Sequence, residues 1–338
     1  MSPATTLHER ISLPFRTPPH PQADLIEEQV QHWTRTTALR GRAEALARYE
    51  KIHLGQMAAF GAPYATIDQG VLFGKFLTFM FNLDDHIDRT QIGGQPDQLA
   101  RLFVNYQRLV VPPAYWSPPL PPLASEEQQC LETFEAILQE VRQQTTHRHV
   151  ERFLYDMELT WHGLLMESCL HQAPQPITPG QYAVTRVSGG YMLASFSLID
   201  AVMNCPITAE ELALPVIRQL NSRAAALNLW LNDIYSCQYE VDQSLTDTNL
   251  VWLLSNERRA NEPTINKAID VLHAEANAYH QLEKSILKDA GSGVANHFYY
   301  IRCTIYGQYV WLGYTERYVT TPASGPLNRS GIDGDSMR

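Results

Sequence analysis

The sequence has little that would place it in a membrane or on nucleic acid. No stretch of its 338 residues is apolar for long enough to span a bilayer. The first residues show no charged-then-apolar signal pattern, so a cytoplasmic location is expected. No block of like charge runs beyond a few residues, and the formal net charge of −10 disfavours nucleic acid or an anionic membrane as the main partner. Five cysteines, Cys130, Cys169, Cys205, Cys237 and Cys303, are scattered without close pairing, which excludes a disulfide scaffold and reads as reduced, mostly buried thiols. The 12 histidines offer no H-x-x-x-H pair with a nearby Glu, as a zinc site would. There is no G-x-S-x-G elbow and no Gly-rich phosphate loop. Strand alternation, hairpin turns and internal repeats are also missing.

What is present is helical. Hydrophobic residues make up 44% of the chain, enough for a sizeable core. Residues 1–22 are polar and Pro-rich and are expected to form an extended arm. Helical spacing begins near Asp24. Further helices are expected over about 42–60, 66–88, 95–110, 125–146, 149–171, 215–239, 247–257, 263–288 and 291–317. Thr178-Pro179 opens another, with Pro in its first turn. Gly189-Gly190 should break it before Tyr191 to Met203 continue. The Pro-rich stretch 112–122 can only be a loop. The polar residues 321–338 are expected to form a tail. The fold class is therefore all-α, with roughly ten or more helices and one main domain over residues 23–320.

Two polar stripes interrupt apolar helical surroundings. The first, Asp84-Asp85-His86-Ile87-Asp88, follows the apolar run from Val71 to Leu83. Asp84 and Asp88 share a helix face, with Asp85 beside them. Read alone, these carboxylates fit a solvated helix end as well as a metal site. The second, Asn232 to Glu240, sets Asn232, Ser236 and Glu240 at i, i+4 and i+8, three oxygen ligands along one face. Trp230, Leu231 and Ile234 around that stripe argue for burial. Oxygen-only donor sets suit hard divalent cations that also bind phosphates.

These stripes resemble the metal motifs of the bacterial class I terpene synthases. The family's DDxxD corresponds to Asp84, Asp85 and Asp88, and its ND(L/I)xSxxxE to Asn232, Asp233, Ile234, Ser236 and Glu240. Arg186 stands 46 positions before Asn232, where the family has its diphosphate-sensing Arg. Gly189 and Gly190 follow at the linker and effector positions. Trp311, Thr315, Arg317 and Tyr318 match a W-x-x-x-T-x-R-Y pattern. The resemblance runs from about residue 13 to 318, with two departures: Tyr239 where many relatives carry Lys, and Gly189 where a polar residue is common. It implies a helical bundle around a central apolar cavity, and a homodimer. It also implies three Mg2+ ions, held by Asp84 and Asp88 on one side and by Asn232, Ser236 and Glu240 on the other. Arg186, Arg317 and Tyr318 would bind the diphosphate, and the Gly190 carbonyl would face the substrate. Phe76 and Phe79 are candidates to contact the hydrocarbon, although each phenylalanine before the first motif fits ordinary core as well.

The expected activity is ionisation of an acyclic allylic diphosphate and cyclisation of the cation. Farnesyl diphosphate is the first expectation and geranylgeranyl diphosphate the second. A chain-elongating prenyl diphosphate synthase would share the fold, but would carry a second Asp-rich motif where this chain has Asn232, Ser236 and Glu240. A non-catalytic metal-binding helical protein is the third reading.

Overall fold

A computed structural model describes residues 6–110, 119–242, 248–255 and 260–318. Among them there are helices and no strands. In chain order they are α1 (Leu7–Arg10), α2 (Ala23–Trp33), α3 (Ala43–Tyr49), α4 (Leu54–Gly61), α5 (Ile67–Thr90), α6 (Pro96–Gln107), α7 (Ser125–Gln144), α8 (His147–His171), α9 (Pro179–Gly189), α10 (Met192–Val202), α11 (Ala209–Ala213), α12 (Pro215–Asp242), α13 (Leu250–Leu253), α14 (Glu262–Leu287) and α15 (Ser292–Leu312). A π-helical turn, Thr34–Ala38, follows α2, and a 3-10 turn, Ile92–Gly94, follows α5.

The main hydrophobic core runs through the bundle, with α5, α8, α10, α12 and α15 around it, and a smaller cluster joins Ile26, Val30, Ala59 and Val71. Its aromatic centre joins Phe76, Phe79, Tyr106, Phe134, Phe153 and Trp161. Phe79 stacks on Phe134 at 5.0 Å, and Phe76 meets Phe153 edge-on at 5.3 Å. A buried polar cluster ties four helices together. Asp200 accepts from Arg152 at 2.6 Å and pairs with the His297 ring at 2.7 Å. The other ring nitrogen of His297 lies 2.8 Å from Asn221. Helices α4 and α15 approach so closely that a Cβ on Gly307 would sit 2.7 Å from the Gly61 nitrogen.

Local signals explain most helix ends. Thr66 and Gln69 form a capping box at the start of α5, and Thr178 with Gln181 does the same for α9. Pro occupies the first turn of α6 and α9. Three expectations need correction. The single helix expected over 42–60 is two, broken at His53, whose φ is +54. The cause lies outside the segment: Glu27 of α2 accepts the Gln56 N–H at 2.9 Å and pairs with the His53 ring, so it caps α4 in place of a local residue. The last helix ends at Leu312 rather than near 317, freeing Thr315 to Tyr318 to turn. The arm over 1–22 holds one helical turn, α1, and its His8 ring stacks on Tyr309 at 4.3 Å. Of the helix expected over 247–257, residues 250–253 are helical; 247 and 256–257 lie outside the described residues, as does the expected tail over 321–338. The Pro-rich loop falls partly outside them as well.

No helix among the described residues is long and apolar enough to cross a membrane.

Candidate active site

Both stripes lie at helix ends that share one mouth. The first closes α5. Its carboxylates divide by direction. Asp85 accepts from Arg48 at 3.0 Å, Tyr49 at 2.9 Å and Arg317 at 2.9 Å, so its oxygens are committed to protein donors. Asp84 and Asp88 have no such set; Asp84 lies 3.5 Å from Arg317. Desolvation and then the Asp84 charge push Asp88 up to about 8. His86 is buried beside Glu126 and Glu127, and Arg89 pairs with Glu126, so both serve the α5–α7 contact.

The second stripe ends α12. Ser236 donates to Glu240, and Asn249 donates to the other Glu240 oxygen at 2.9 Å. Desolvation and then Asp233 push Glu240 up to about 7. Asn232 donates to the Tyr318 hydroxyl at 2.6 Å and accepts from Arg186 at 3.0 Å. Asp233 turns inward. It accepts from Arg186 at 2.6 Å, from the Tyr182 hydroxyl, and from the Leu250 N–H at 2.8 Å.

The segment after α15 joins the two stripes. Trp311 and Thr315 both donate to the Ile52 carbonyl, in the break between α3 and α4. That anchor brings Arg317 over the Phe81 ring, 4.4 Å from its centroid, with Nη2 on Asp85. Arg317 Nε donates to the Tyr318 hydroxyl at 3.2 Å. A continuous path therefore runs Asp85–Arg317–Tyr318–Asn232 across the mouth.

The expected helix break is present. α9 ends at Gly189 and α10 starts at Met192. A Cβ on Gly190 would run into Leu229 Cδ2 and lie 2.7 Å from the Arg186 carbonyl oxygen, so only glycine fits. Tyr191 then takes a left-handed backbone, φ +61, which costs an L-residue roughly 1–2 kcal/mol.

Hydrogen bonds and charge coupling therefore link all the residues expected on the polar side: Asp84, Asp88, Asn232, Ser236, Glu240, Arg186, Arg317 and Tyr318. Phe76 and Phe79 are fully buried, packed against Phe153 and Phe134, and the ring at the mouth is Phe81. Several partners carried no sequence signal: Arg48 and Tyr49 on Asp85, Tyr182 on Asp233, and Asn249 on Glu240. They act across 9 to 51 residues, where no local pattern can show them. An outer groove of about 990 Å³, lined by Arg152, Tyr155, Val184 and Arg218 among others, contains no motif residue.

The donors fit a divalent cation shared with a phosphate ligand. Among the described residues, no three His, Cys, Asp or Glu side chains converge as a self-sufficient metal cage. The oxygens instead form two incomplete sets facing one opening. Burial and then neighbouring carboxylates raise Asp88 and Glu240, and a bound cation would favour their ionised forms. The Arg186 Nε–H is buried without a partner, a spare donor for an anion.

Comparison with known proteins agrees. The family model described as terpene synthase family 2, C-terminal metal binding, matches residues 75–280. The chain is 23% identical over 261 residues to (+)-eremophilene synthase of Sorangium cellulosum, covering 77% of this chain and 75% of that protein. It is 24% identical over 244 residues to (−)-alpha-amorphene synthase ((2E,6E)-farnesyl diphosphate cyclizing) of Streptomyces viridochromogenes, covering 70% and 68%. Its fold matches 2-methylisoborneol synthase from Streptomyces coelicolor A3(2), solved with Mg2+ and 2-fluoroneryl diphosphate, with a TM-score of 0.76 at 15% identity over 93% of this chain and 98% of that one.

Proposed function

The chain belongs to the bacterial class I terpene synthases, cyclases of isoprenoid diphosphates, and from that premise we propose how its own residues carry the reaction and on which substrate. The substrate is farnesyl diphosphate, the fifteen-carbon allylic diphosphate. The name of the alpha-amorphene synthase relative, which specifies farnesyl diphosphate, supports this choice. Asp84 and Asp88 hold Mg2+ on one side of the mouth, and Asn232, Ser236 and Glu240 on the other, three ions in all. Bound there, Mg2+ supplies Lewis-acid stabilisation of the departing diphosphate.

The observation that carries this reading is the path Asp85–Arg317–Tyr318–Asn232, with Arg186 on Asn232. It puts two guanidinium groups and a phenol between the two oxygen sets. Arg186 and Arg317 offer forked donors to the diphosphate oxygens, and their fixed charge favours the anion that forms as the allylic C–O bond breaks. Tyr318 couples the Arg317 side of the mouth to the second stripe. The Gly190 carbonyl, at the helix break, faces the developing cation. The hydrocarbon meets aromatic rings carried by α5, Phe81 together with Phe76 and Phe79, whose faces favour cations. The dry surroundings delay capture of the cation by water.

The domain spans about residues 23–320, and the arm before it packs onto the bundle through Ile11 and Phe15. The protein works in the cytoplasm, as five free cysteines support. It works as a homodimer; exposed Tyr155 and Val184 beside the outer groove support a covered face, and light scattering tests it.

The deciding experiment incubates the protein with Mg2+ and, separately, ten-, fifteen- and twenty-carbon allylic diphosphates, and analyses extracts by gas chromatography–mass spectrometry. A cyclic product from the fifteen-carbon substrate, lost with EDTA and in Asn232→Ala and Glu240→Ala, is expected. Full activity in either variant would remove the metal assignment, and product from the twenty-carbon substrate alone would replace the chain length.

A further inference from the structure

Tyr191 combines two costly features. It is a bulky residue held at φ +61, and its hydroxyl is buried without a hydrogen-bond partner. The other left-handed non-glycine residues among those described are His53, Gln91 and Asn204, polar side chains at helix boundaries. A glycine would relieve the backbone and a phenylalanine would remove the stranded hydroxyl.

Its address is informative. Ser195 Oγ on α10 meets Met80 Sδ on α5 at 3.7 Å, which sets the register of the two helices. One turn beyond Met80 on α5 stands Asp84. One turn before Ser195 stands Tyr191, whose carbonyl accepts the Ser195 N–H at 2.9 Å. Electrostatics agree: after desolvation, Asp84, Cys130 and Asp88 raise the Tyr191 hydroxyl well above its ordinary range, so it stays a neutral donor. Carboxylates that ligate metals are themselves held by hydrogen-bond donors, and losing such a donor weakens metal binding. Asp85 has three protein donors, whereas Asp84 and Asp88 lack such a set.

We propose that Tyr191 is a positioning residue for the first stripe: its hydroxyl donates to the Asp84 carboxylate when that carboxylate turns to hold a divalent cation. This rests on the metal role assigned above to Asp84. Tyr191→Phe removes one oxygen and keeps the ring. It should leave the melting temperature unchanged or higher and raise the half-saturating Mg2+ concentration about 10- to 100-fold. Tyr314→Phe is the control, because that hydroxyl is also buried and unpartnered but its charged neighbour is Glu27 of α2. It should leave the Mg2+ dependence unchanged.

A readout independent of turnover is Mn2+ binding with inorganic diphosphate, followed by the electron paramagnetic resonance signal of free Mn2+. Tyr191→Phe should weaken binding by the same factor, and should weaken it no further in an Asp84→Asn background. Wild-type binding and Mg2+ dependence in Tyr191→Phe, equal effects from Tyr314→Phe, or additive losses with Asp84→Asn would each overturn the inference. Failure of the wild-type protein to bind Mn2+ with diphosphate would instead overturn the metal assignment beneath it.

Discussion

Asp233 is the carboxylate of the second stripe that no metal role needs, and its replacement separates folding from chemistry. It is completely buried and accepts from the Arg186 guanidinium at 2.6 Å, the Tyr182 hydroxyl and the Leu250 N–H at 2.8 Å. Asp233→Asn keeps the shape but removes the charge, and turns an NH2 group toward at least one of three donors. Leaving one member of a buried ion pair uncompensated costs about 3–5 kcal/mol. The Arg186 side chain is 21% exposed and keeps Asn232 as an acceptor, so the lower end applies, about 3 kcal/mol. That is roughly a hundredfold in the folding equilibrium. Turnover should also fall, on the order of a hundredfold, because Arg186 loses the anchor that orients it. The assay is equilibrium urea unfolding beside product formation, with Asn232→Ala as comparator. Asn232→Ala should abolish product for about 1 kcal/mol of stability, because it gives up one neutral hydrogen bond to Tyr318 and one from Arg186, which keeps Asp233 as its counter-charge. An unfolding midpoint for Asp233→Asn equal to that of wild type would refute this reasoning.

Three further outcomes follow from the same contacts. Gly190→Ala drives a methyl into Leu229 and the Arg186 carbonyl, so it should cost about 1–3 kcal/mol of stability by thermal melting and reduce product formation. Arg317→Lys leaves a cation but loses the fork that reaches Asp85 and Tyr318 together, so kcat/KM should fall at least tenfold while the melt changes little; an unchanged kcat/KM counts against the path across the mouth. Asp200 supplies the pH dependence. Burial opposes its ionisation, but His297 and Arg152 hold it down at about 2, against an ordinary 3.8. A depressed carboxylate contributes stability above its ordinary value and loses it as pH falls toward the folded one. Unfolding free energy should therefore drop by roughly 2 kcal/mol between pH 4 and pH 2, a component missing from Asp200→Asn in acid titrations of the melt.

The sequence shows the parts of this site that are periodic and hides those that are not. Asp84 and Asp88, or Asn232, Ser236 and Glu240, fall at helical intervals on apolar helices, so their common faces follow from the 3.6-residue repeat. Gly189-Gly190 marks the break because glycine is the residue a close approach demands. The break at His53 had no such mark. Its cap is Glu27, a carboxylate on another helix, and nothing within 42–60 reports it. The phenylalanines are ambiguous for a related reason: an apolar run before a motif shows that a helix is buried, but not which rings face a cavity and which face one another. The early end of α15 was hidden because Trp311 and Thr315 stop the helix by bonding to Ile52, far back in the chain.

The two stripes also share a design that spacing alone leaves unseen. Each opens with two adjacent polar residues, Asp84-Asp85 and Asn232-Asp233, and adjacent residues on a helix point about 100° apart. The first of each pair stays at the mouth. The second turns into a set of protein donors: Arg48, Tyr49 and Arg317 for Asp85, and Arg186, Tyr182 and the Leu250 N–H for Asp233. In both cases one of those donors is an arginine proposed to meet the diphosphate. An aspartate in the second position thus holds its arginine beside the metal ligands before substrate arrives, which reduces the ordering left for the binding step. If so, Asp85→Asn and Asp233→Asn should resemble loss of Arg317 and Arg186 respectively, more than loss of Asp84 or Asn232. Double variants, Asp85→Asn with Arg317→Ala and Asp233→Asn with Arg186→Ala, should lose little beyond the single arginine variants. Additive losses in kcat/KM would show that the second aspartates act on the metals directly.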